Sequence, residues 1–319
     1  MTSTVSYHGK CLGCYNPLEQ GIYHPKCSKA LFGTEIPPLL DTTIHEIETF
    51  AHKFISQRLA VTGVQRKLSL QIEPHGHQRL TVVGGLGGGY IMKPQSPDYE
   101  QMPEIEDLSM HLAALCGIKT ALHGLLPLKD GPLAYVTKRF DRMEKKKVAV
   151  EDLCQLSELL TEQKYRASHE QAGKIIRRYS SFPGDDALRF FELVLFSFVI
   201  GNNDMHLKNF SMFTGDINRI LLTPAYDILA VRLILSEKED SEDMALTVNG
   251  KKNRIKAKDF FALSERLGIP EKVVKRVLAN QINAQGKMAM LINKSLLSAD
   301  LKTNFLQLIE SRVARLAQD

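Results

Sequence analysis

Asp204 and Asn209 stand in the stretch Gly201-Asn202-Asn203-Asp204-Met205-His206-Leu207-Lys208-Asn209-Phe210, directly after an apolar run from Phe190 to Ile200 that reads as a buried helix. A carboxylate followed after four residues by a carboxamide can do two jobs from one loop. The Asp accepts the proton of an attacking hydroxyl, and the Asn binds a magnesium ion. That chemistry asks for a second metal ligand further along. Pro224-Ala225-Tyr226-Asp227-Ile228 carries a single carboxylate, Asp227, in an apolar, turn-flanked setting. The three residues together point to phosphoryl transfer. The alternative for the first pair alone is a helix end running into a solvated Asn/Asp turn.

A second chemistry is written near the start, where Cys11-x2-Cys14 is followed by His24-x2-Cys27. Two short pairs of thiolate and imidazole ligands can close a tetrahedral zinc site, and metal would give so short a segment a reason to fold. The alternative is three buried thiols beside a surface histidine. Cys116 and Cys154 sit in apolar helical patterns and read as core. The run Gly84-Gly85-Leu86-Gly87-Gly88-Gly89 invites a nucleotide-loop reading, but it does not give G-x-G-x-x-G and no helix follows it. It reads instead as a flexible hairpin joining a strand over Leu80–Val83 to one over Tyr90–Lys93.

The elements that must position these residues follow from local pattern. Thr43 with Glu46 three residues on forms a helix start. Residues 61–72 alternate like a strand after a glycine turn. A helix follows Pro103, with Glu104 and Glu106 in its first turns; Glu104 there is also what a helix dipole favours. Residues 134–141 run from a strand into a connector. Glu151 and Asp152 start a helix as ordinary caps. Residues 169–200 form two helices around Ser180-Ser181-Phe182-Pro183-Gly184. Residues 236–243, rich in Glu and Asp, read as a solvated spacer. Residues 257–319 hold at least three helices, with Gly268-Ile269-Pro270 as a boundary.

Composition bounds the rest. The chain has 319 residues, 44% of them hydrophobic, which suits one large domain or two lobes. A net charge of +5 permits acidic ligands such as nucleotides without arguing for nucleic acid as substrate. No apolar stretch approaches the ~20 residues of a membrane span. The start, Met1-Thr2-Ser3-Thr4-Val5, shows no apolar signal segment, and the 5 cysteines fit a reducing cytoplasm.

Several motifs occur in one order between about residues 58 and 230: Thr62-Gly63-Val64-Gln65-Arg66-Lys67, Ile91-Met92-Lys93-Pro94, Arg139-Phe140-Asp141-Arg142, Glu151-Asp152-Leu153-Cys154-Gln155, Asp204-x-His206-x-Lys208-Asn209-Phe210-Ser211 and Ala225-Tyr226-Asp227. In these the chain resembles the HipA-like serine/threonine kinases, toxins of bacterial type II toxin–antitoxin systems. It looks like the short, HipT-like variant in which the N-terminal subdomain is a separate HipS-like protein. The resemblance implies an α+β, two-lobed, protein-kinase-like fold. Its parts would be a β-rich N-lobe over 36–138 and a helical C-lobe over 139–319, while residues 1–35 read as a zinc knuckle from their cysteine and histidine spacing and not from the resemblance. ATP and Mg²⁺ are the implied cofactors, and a structural Zn²⁺ is what the spacing adds.

The site residues implied by the resemblance are these. Thr62, Gly63, Val64, Gln65, Arg66 and Lys67 form the phosphate-covering loop. Lys93 reaches the α- and β-phosphates and is oriented by Glu106, which stands four before Met110. The adenine meets backbone of Lys138, Arg139 and Phe140. Asn209 and Asp227 hold Mg²⁺, with Tyr226 beside the nucleotide. Asp204 deprotonates the substrate hydroxyl, and His206 and Lys208 balance charge. The target class is an aminoacyl-tRNA synthetase, whose phosphorylation stops translation. The partner is a helix-turn-helix, HipB-like antitoxin through which DNA is contacted, and the setting is the bacterial cytoplasm without membrane. Relatives silence themselves by phosphorylating a serine just before the glycine of the loop. Here the position three before Gly63 is Ala60, so either Ala60 is an engineered change that keeps the enzyme active or regulation has moved to Thr62, with self-phosphorylation confined to Thr62 or nearby Ser56. Two other classes stay open: a small-molecule phosphotransferase and a non-catalytic ATP-binding scaffold.

Overall fold

The computed structural model of the chain describes residues 7, 9–49, 67–73, 79–83, 87–143, 146–236 and 238–318. The loop residues Thr62 to Arg66, together with Ser56 and Ala60, lie outside the described residues. The chain divides into two units: residues 1–107, 121–140 and 294–296, and residues 108–120, 141–293 and 297–319.

In the first unit the strands β1 (Leu68–Ile72), β2 (Leu80–Val83), β3 (Tyr90–Lys93), β4 (His123–Pro127) and β5 (Leu133–Lys138) form an antiparallel sheet in the order β2-β1-β3-β5-β4. The inner strands carry consecutive buried residues, Ala134, Tyr135 and Val136 on β5 and Leu125 and Leu126 on β4, so both faces of the sheet are covered. The order corrects one expectation. β2 and β3 are not hairpin partners, because β1 lies between them. The glycine run therefore does not close a hairpin between neighbouring strands. A Cβ on Gly88 would sit 2.1 Å from the Leu70 carbonyl oxygen, and the Gly88 N–H donates to Ser69 Oγ at 3.1 Å. At Gly88 the run is glycine for backbone clearance.

The segment bearing the cysteines belongs to this unit and packs on its sheet. Its helix Pro25–Phe32 starts with Pro after the N-cap residue His24 and ends on Gly33 at φ 83. Tyr23 Oη donates to the Leu125 carbonyl at 2.9 Å, and Tyr90 Oη donates to that of Leu31 at 3.1 Å. Residues 44–49 are helical, opened by the expected reciprocal cap: the Thr43 N–H donates to Glu46 Oε2 at 2.8 Å, and the Glu46 N–H to Thr43 Oγ1 at 3.2 Å. The helix Met102–Leu115 is buried nearly all round, with Ile105, Glu106, Asp107, Leu108, Ser109 and Met110 each at or below 1% exposure. The division between units falls inside it, after Asp107.

The second unit adds β6 (Arg142–Met143), β7 (Lys146–Lys147), β8 (Val150–Asp152), β9 (Ser211–Thr214) and β10 (Ile220–Leu222), the last three forming a small sheet in the order β10-β9-β8. Around it stand helices. Two of them, His169–Tyr179 and Pro183–Ile200, flank the expected break. Phe190, Phe191, Phe196 and Phe198 of the second are fully buried; Phe190 meets Phe210 edge-on at 4.9 Å and Phe198 meets Phe260 at 5.4 Å. The helix Ala257–Arg266 ends at the expected boundary, and Glu271–Asn283, Gln285–Lys294 and Ala299–Ala317 follow it, the last lying against Pro183–Ile200.

The acidic stretch is not a spacer throughout. Asp243 is 7% exposed and pairs with Arg315 Nη2 at 2.5 Å and with Arg312. Its partners lie about seventy residues away, beyond what a local reading of charge could show. Among the described residues, no helix is long and apolar enough to cross a membrane.

Candidate active site

The loop after Pro183–Ile200 is held by its own alternation. Gly201 closes the helix at φ 70, its N–H reaching the Phe198 carbonyl at 3.2 Å while the Asn202 N–H reaches that of Ser197 at 2.8 Å. Asn202, Asn203, Met205 and Leu207 then turn inward, each 6% exposed or less. Asp204, flanked by these anchors, points out to solvent. Asn203 Nδ2 donates to Asp240 Oδ2 at 2.6 Å, tying the loop to the acidic stretch. Asn209, in the single 3₁₀ turn Leu207–Asn209, donates its Nδ2 to the Asp204 carbonyl at 3.1 Å. Its amide nitrogen is thereby spent on the loop, and its oxygen remains the atom with which it could hold a cation.

Three neighbours shape the surroundings of Asp204. Tyr165 Oη donates to Asp204 Oδ1 at 2.5 Å, and burial followed by this hydrogen bond and the carboxylate charge pushes the phenol up. Sequence reading passed over Tyr165, which precedes the loop by 39 residues and carries no spacing signal. The His206 ring lies edge-on to Tyr165 at 5.0 Å. Burial pulls its pKa down, opposed by the charges of Asp204 and Asp227, so the imidazole senses both carboxylates. Lys208 Nζ lies 3.2 Å from Asp152 Oδ2. Asp152 also caps the helix Leu153–Leu156, accepting from the Gln155 N–H at 2.8 Å, as expected for an acid at that place.

Asp227 takes a left-handed backbone, φ 59, between Tyr226 and the fully buried Ile228. Such a conformation in a residue other than glycine is uncommon and marks a place to examine for function. Tyr226 Oη donates to the Lys208 carbonyl at 2.8 Å and shares a 2.6 Å hydrogen bond with Ser211 Oγ. Its hydroxyl thus staples the Asp227 segment to the loop, and any nucleotide contact is left to its ring. The second unit therefore gathers Asp204, His206, Lys208, Asn209, Tyr226 and Asp227.

In the first unit, Lys93 at the end of β3 forms an ion pair with Glu106; their side chains are 5% and 0% exposed. Lys93 Nζ also lies 5.5 Å from the centre of the Tyr135 ring. The sheet places Lys93 opposite Tyr135, which explains the contact. Glu104, the other candidate in that helix, is pushed up to about 7 by burial. At the connector, the Lys138 N–H donates to Leu122 O at 2.8 Å and the Arg139 N–H to Gly89 O at 2.9 Å. A base recognised along Lys138–Phe140 would have to use other backbone groups. Lys67 immediately precedes β1.

Cys11, Cys14, His24 and Cys27 also converge, their ligand atoms all within 4.8 Å of one another.

Residues 59–288 match the family model of the HipA-like C-terminal domain. Among similar sequences, the "Putative kinase Y4dM" of Sinorhizobium fredii is 30% identical over 256 residues, covering 76% of this chain and 60% of that protein. A protein of Haemophilus influenzae with the same kinase name is 23% identical over 251 residues, covering 71% of this chain and 72% of its own. Among solved structures, the Shewanella oneidensis toxin–antitoxin complex of HipA, HipB and operator DNA matches with a TM-score of 0.66 at 21% identity, over 81% of this chain and 65% of that one. The Helicobacter pylori proinflammatory kinase CtkA matches with a TM-score of 0.53 at 14% identity, over 77% and 93%. These two likenesses show the fold, a kinase-like one with antiparallel sheets and a helical C-terminal part. The chain spans about 60% of the length of the S. fredii relative. With most of its length matched, the chain belongs to the family of the HipA-like C-terminal domain.

Proposed function

We propose that this protein is an ATP-dependent kinase that transfers a phosphoryl group to a serine or threonine hydroxyl of another protein. One observation carries the reading: Asp204 faces solvent on a loop otherwise anchored inward, with the Asn209 amide bonded to its backbone and the segment bearing Asp227 stapled to the same loop by Tyr226 Oη at the Lys208 carbonyl. Asp204 orients the hydroxyl and takes its proton. Asn209 and Asp227 would hold Mg²⁺, which when bound neutralises charge on the transferring phosphates. Oxygen donors of this kind suit that ion. Lys93, fixed by Glu106, binds the α- and β-phosphates. His206, kept toward its neutral form by burial, and Lys208, bridged to Asp152, support the loop and the charge around it. Thr62 to Lys67 cover the phosphates, and Lys138 to Phe140 with Tyr226 border the base.

The finer assignments rest on family likeness. The Shewanella structure is of HipA with HipB and operator DNA. By that likeness we assign a helix-turn-helix antitoxin as partner, with DNA contacted through it, and a toxin's role in the cytoplasm. An aminoacyl-tRNA synthetase is the assigned target, and translation the process inhibited. A small HipS-like protein is a further partner, detectable by co-purification. Self-phosphorylation, on this reading, falls on Thr62 or Ser56, which peptide mass spectrometry would locate.

The deciding experiment is phosphoproteomics of cells expressing the chain beside its Asp204→Ala form, paired with transfer from Mg·ATP in vitro. The expected result is a phosphorylated protein hydroxyl that disappears with Asp204→Ala and with Asp227→Ala. Transfer that survives Asp204→Ala refutes the assigned base, and turnover confined to a small-molecule acceptor refutes the protein-kinase reading.

A further inference from the structure

The cysteine–histidine cluster takes no part in phosphoryl transfer, yet it is built like a metal site. The Tyr15 N–H donates to the Cys11 carbonyl at 2.8 Å, a turn that sets Cys11 and Cys14 side by side. His24 and Cys27 come from the start of Pro25–Phe32, where the Cys27 N–H donates to the His24 carbonyl at 3.0 Å. The His24 backbone N–H points at Cys11 Sγ at 3.2 Å. His24 Nε2 lies 3.0 Å from the Pro17 carbonyl, an acceptor only, so Nε2 carries the proton and Nδ1 offers its lone pair toward Cys14 Sγ at 3.4 Å. A backbone carbonyl that fixes the far nitrogen is the usual support of a metal-bound imidazole. All three cysteines are free thiols. Three sulfurs and one imidazole in tetrahedral reach suit zinc.

The same turn reaches toward the Lys93–Glu106 pair. Tyr15, directly after Cys14, has a left-handed backbone at φ 59 and is 2% exposed. Its hydroxyl donates to Asp107 Oδ2. His123 Nδ1 holds the other oxygen, Oδ1, at 2.7 Å. Asp107 is fully buried and adjoins Glu106, the partner of Lys93. The turn thus has a direct hold on the helical turn that aims Glu106.

We propose that Cys11, Cys14, His24 and Cys27 bind a structural zinc ion, and that the zinc-closed turn braces Glu106 against Lys93 through Tyr15 and Asp107. The bracing half rests on the kinase reading of Lys93 and Glu106; the zinc half does not.

The test uses the full chain. Metal analysis after reloading with zinc should give one equivalent, and Co²⁺ in its place should show the visible bands of a tetrahedral thiolate centre. Less than half an equivalent, or bands that persist in a Cys14→Ser/Cys27→Ser variant, overturns the site. If that variant does not fold, the stoichiometry and spectrum of the unaltered chain decide. Tyr15→Phe keeps every ligand and removes only the hydroxyl. It should retain zinc while hydrogen exchange over residues 102–107 speeds up about tenfold, the scale of a lost hydrogen bond to a charged group. KM for ATP should rise with kcat little changed. Unchanged exchange in Tyr15→Phe overturns the brace. Zinc content and exchange are both readable without any transfer activity, so a failure of the kinase reading would be seen separately.

Discussion

The ion pair between Lys93 and Glu106 makes the sharpest demand on solution behaviour, because both side chains are almost wholly withdrawn from water, at 5% and 0% exposure. Two opposite charges buried together gain less than their contact suggests, since each lost its hydration on folding. Deleting one of them is worse, because the other is left charged in a poorly polarisable place. Lys93→Met or Glu106→Leu should therefore each cost about 3–5 kcal/mol. In a unit of this size that lowers the melting temperature by about 3–5 °C for each kcal/mol. The double change Lys93→Met/Glu106→Leu removes both charges and keeps the volume filled, so most of the loss should be recovered. The chain has no tryptophan, so circular dichroism or calorimetry is the suitable probe. A thermodynamic cycle over the four proteins then gives the coupling directly.

The double variant also separates structure from chemistry. Its stability should return while transfer from ATP stays lost, because the lysine proposed to bind phosphate is gone. Two results would refute this reasoning. Single variants within about 0.5 kcal/mol of the parent would place them with ordinary surface changes, not with a desolvated pair. A double variant that transfers phosphate at the parent's rate would take Lys93 out of the nucleotide site.

Three further outcomes are expected. Asp243→Asn should cost about 3 kcal/mol at neutral pH by leaving Arg312 and Arg315 less compensated. Burial alone would raise the Asp243 carboxyl, but those two arginines hold it below its ordinary 3.8, so its contribution is complete above 3.8 and fades as pH falls through the lower folded value. Acid titration of both proteins should show the gap closing only there. Gly88→Ala should cost about 1–3 kcal/mol by driving a methyl into the Leu70 backbone, whereas Gly87→Ala at an exposed position should be near neutral in both stability and transfer. Tyr165→Phe should leave KM for ATP unchanged and raise the rate toward a dilute protein substrate by up to about tenfold, since the hydroxyl no longer competes for Asp204 Oδ1; a lower rate would show that the phenol assists the base.

What could be read from the sequence was local. The helix before the loop, the cap at Thr43 and Glu46, the acid at Asp152 and the break at Ser180 to Gly184 each depend on residues a few positions apart. Spacing also named the cysteines and histidine that converge. The misreadings share a cause, which is separation along the chain. The glycine run lies between β2 and β3 in sequence, but the strand that separates them in the sheet, β1, precedes both. Asp243 reads as one more solvated acid until the last helix brings Arg312 and Arg315 to it. Tyr165 shares no motif with Asp204 and is joined to it only by the fold.

The acidic stretch gives the second unit a way to hold its loop. Arg232 Nη2 donates to the Glu242 carbonyl at 2.5 Å, its backbone N–H donates to the Gly201 carbonyl at 3.0 Å, and its Nη1 donates to the Asp240 carbonyl. Asp240 in turn receives Asn203, one residue before Asp204. A few residues on, Asp243 is fastened to the last helix by Arg312 and Arg315. The stretch is therefore a strap, anchored at one end in the helical core and at the other beside Asp204. A base whose placement must be good to a fraction of an ångström is better held by such a strap than by a glycine-ended turn alone. These side chains tie down the loop that carries Asp204, and that is why so acidic a segment can stand so near the proposed base without belonging to its chemistry.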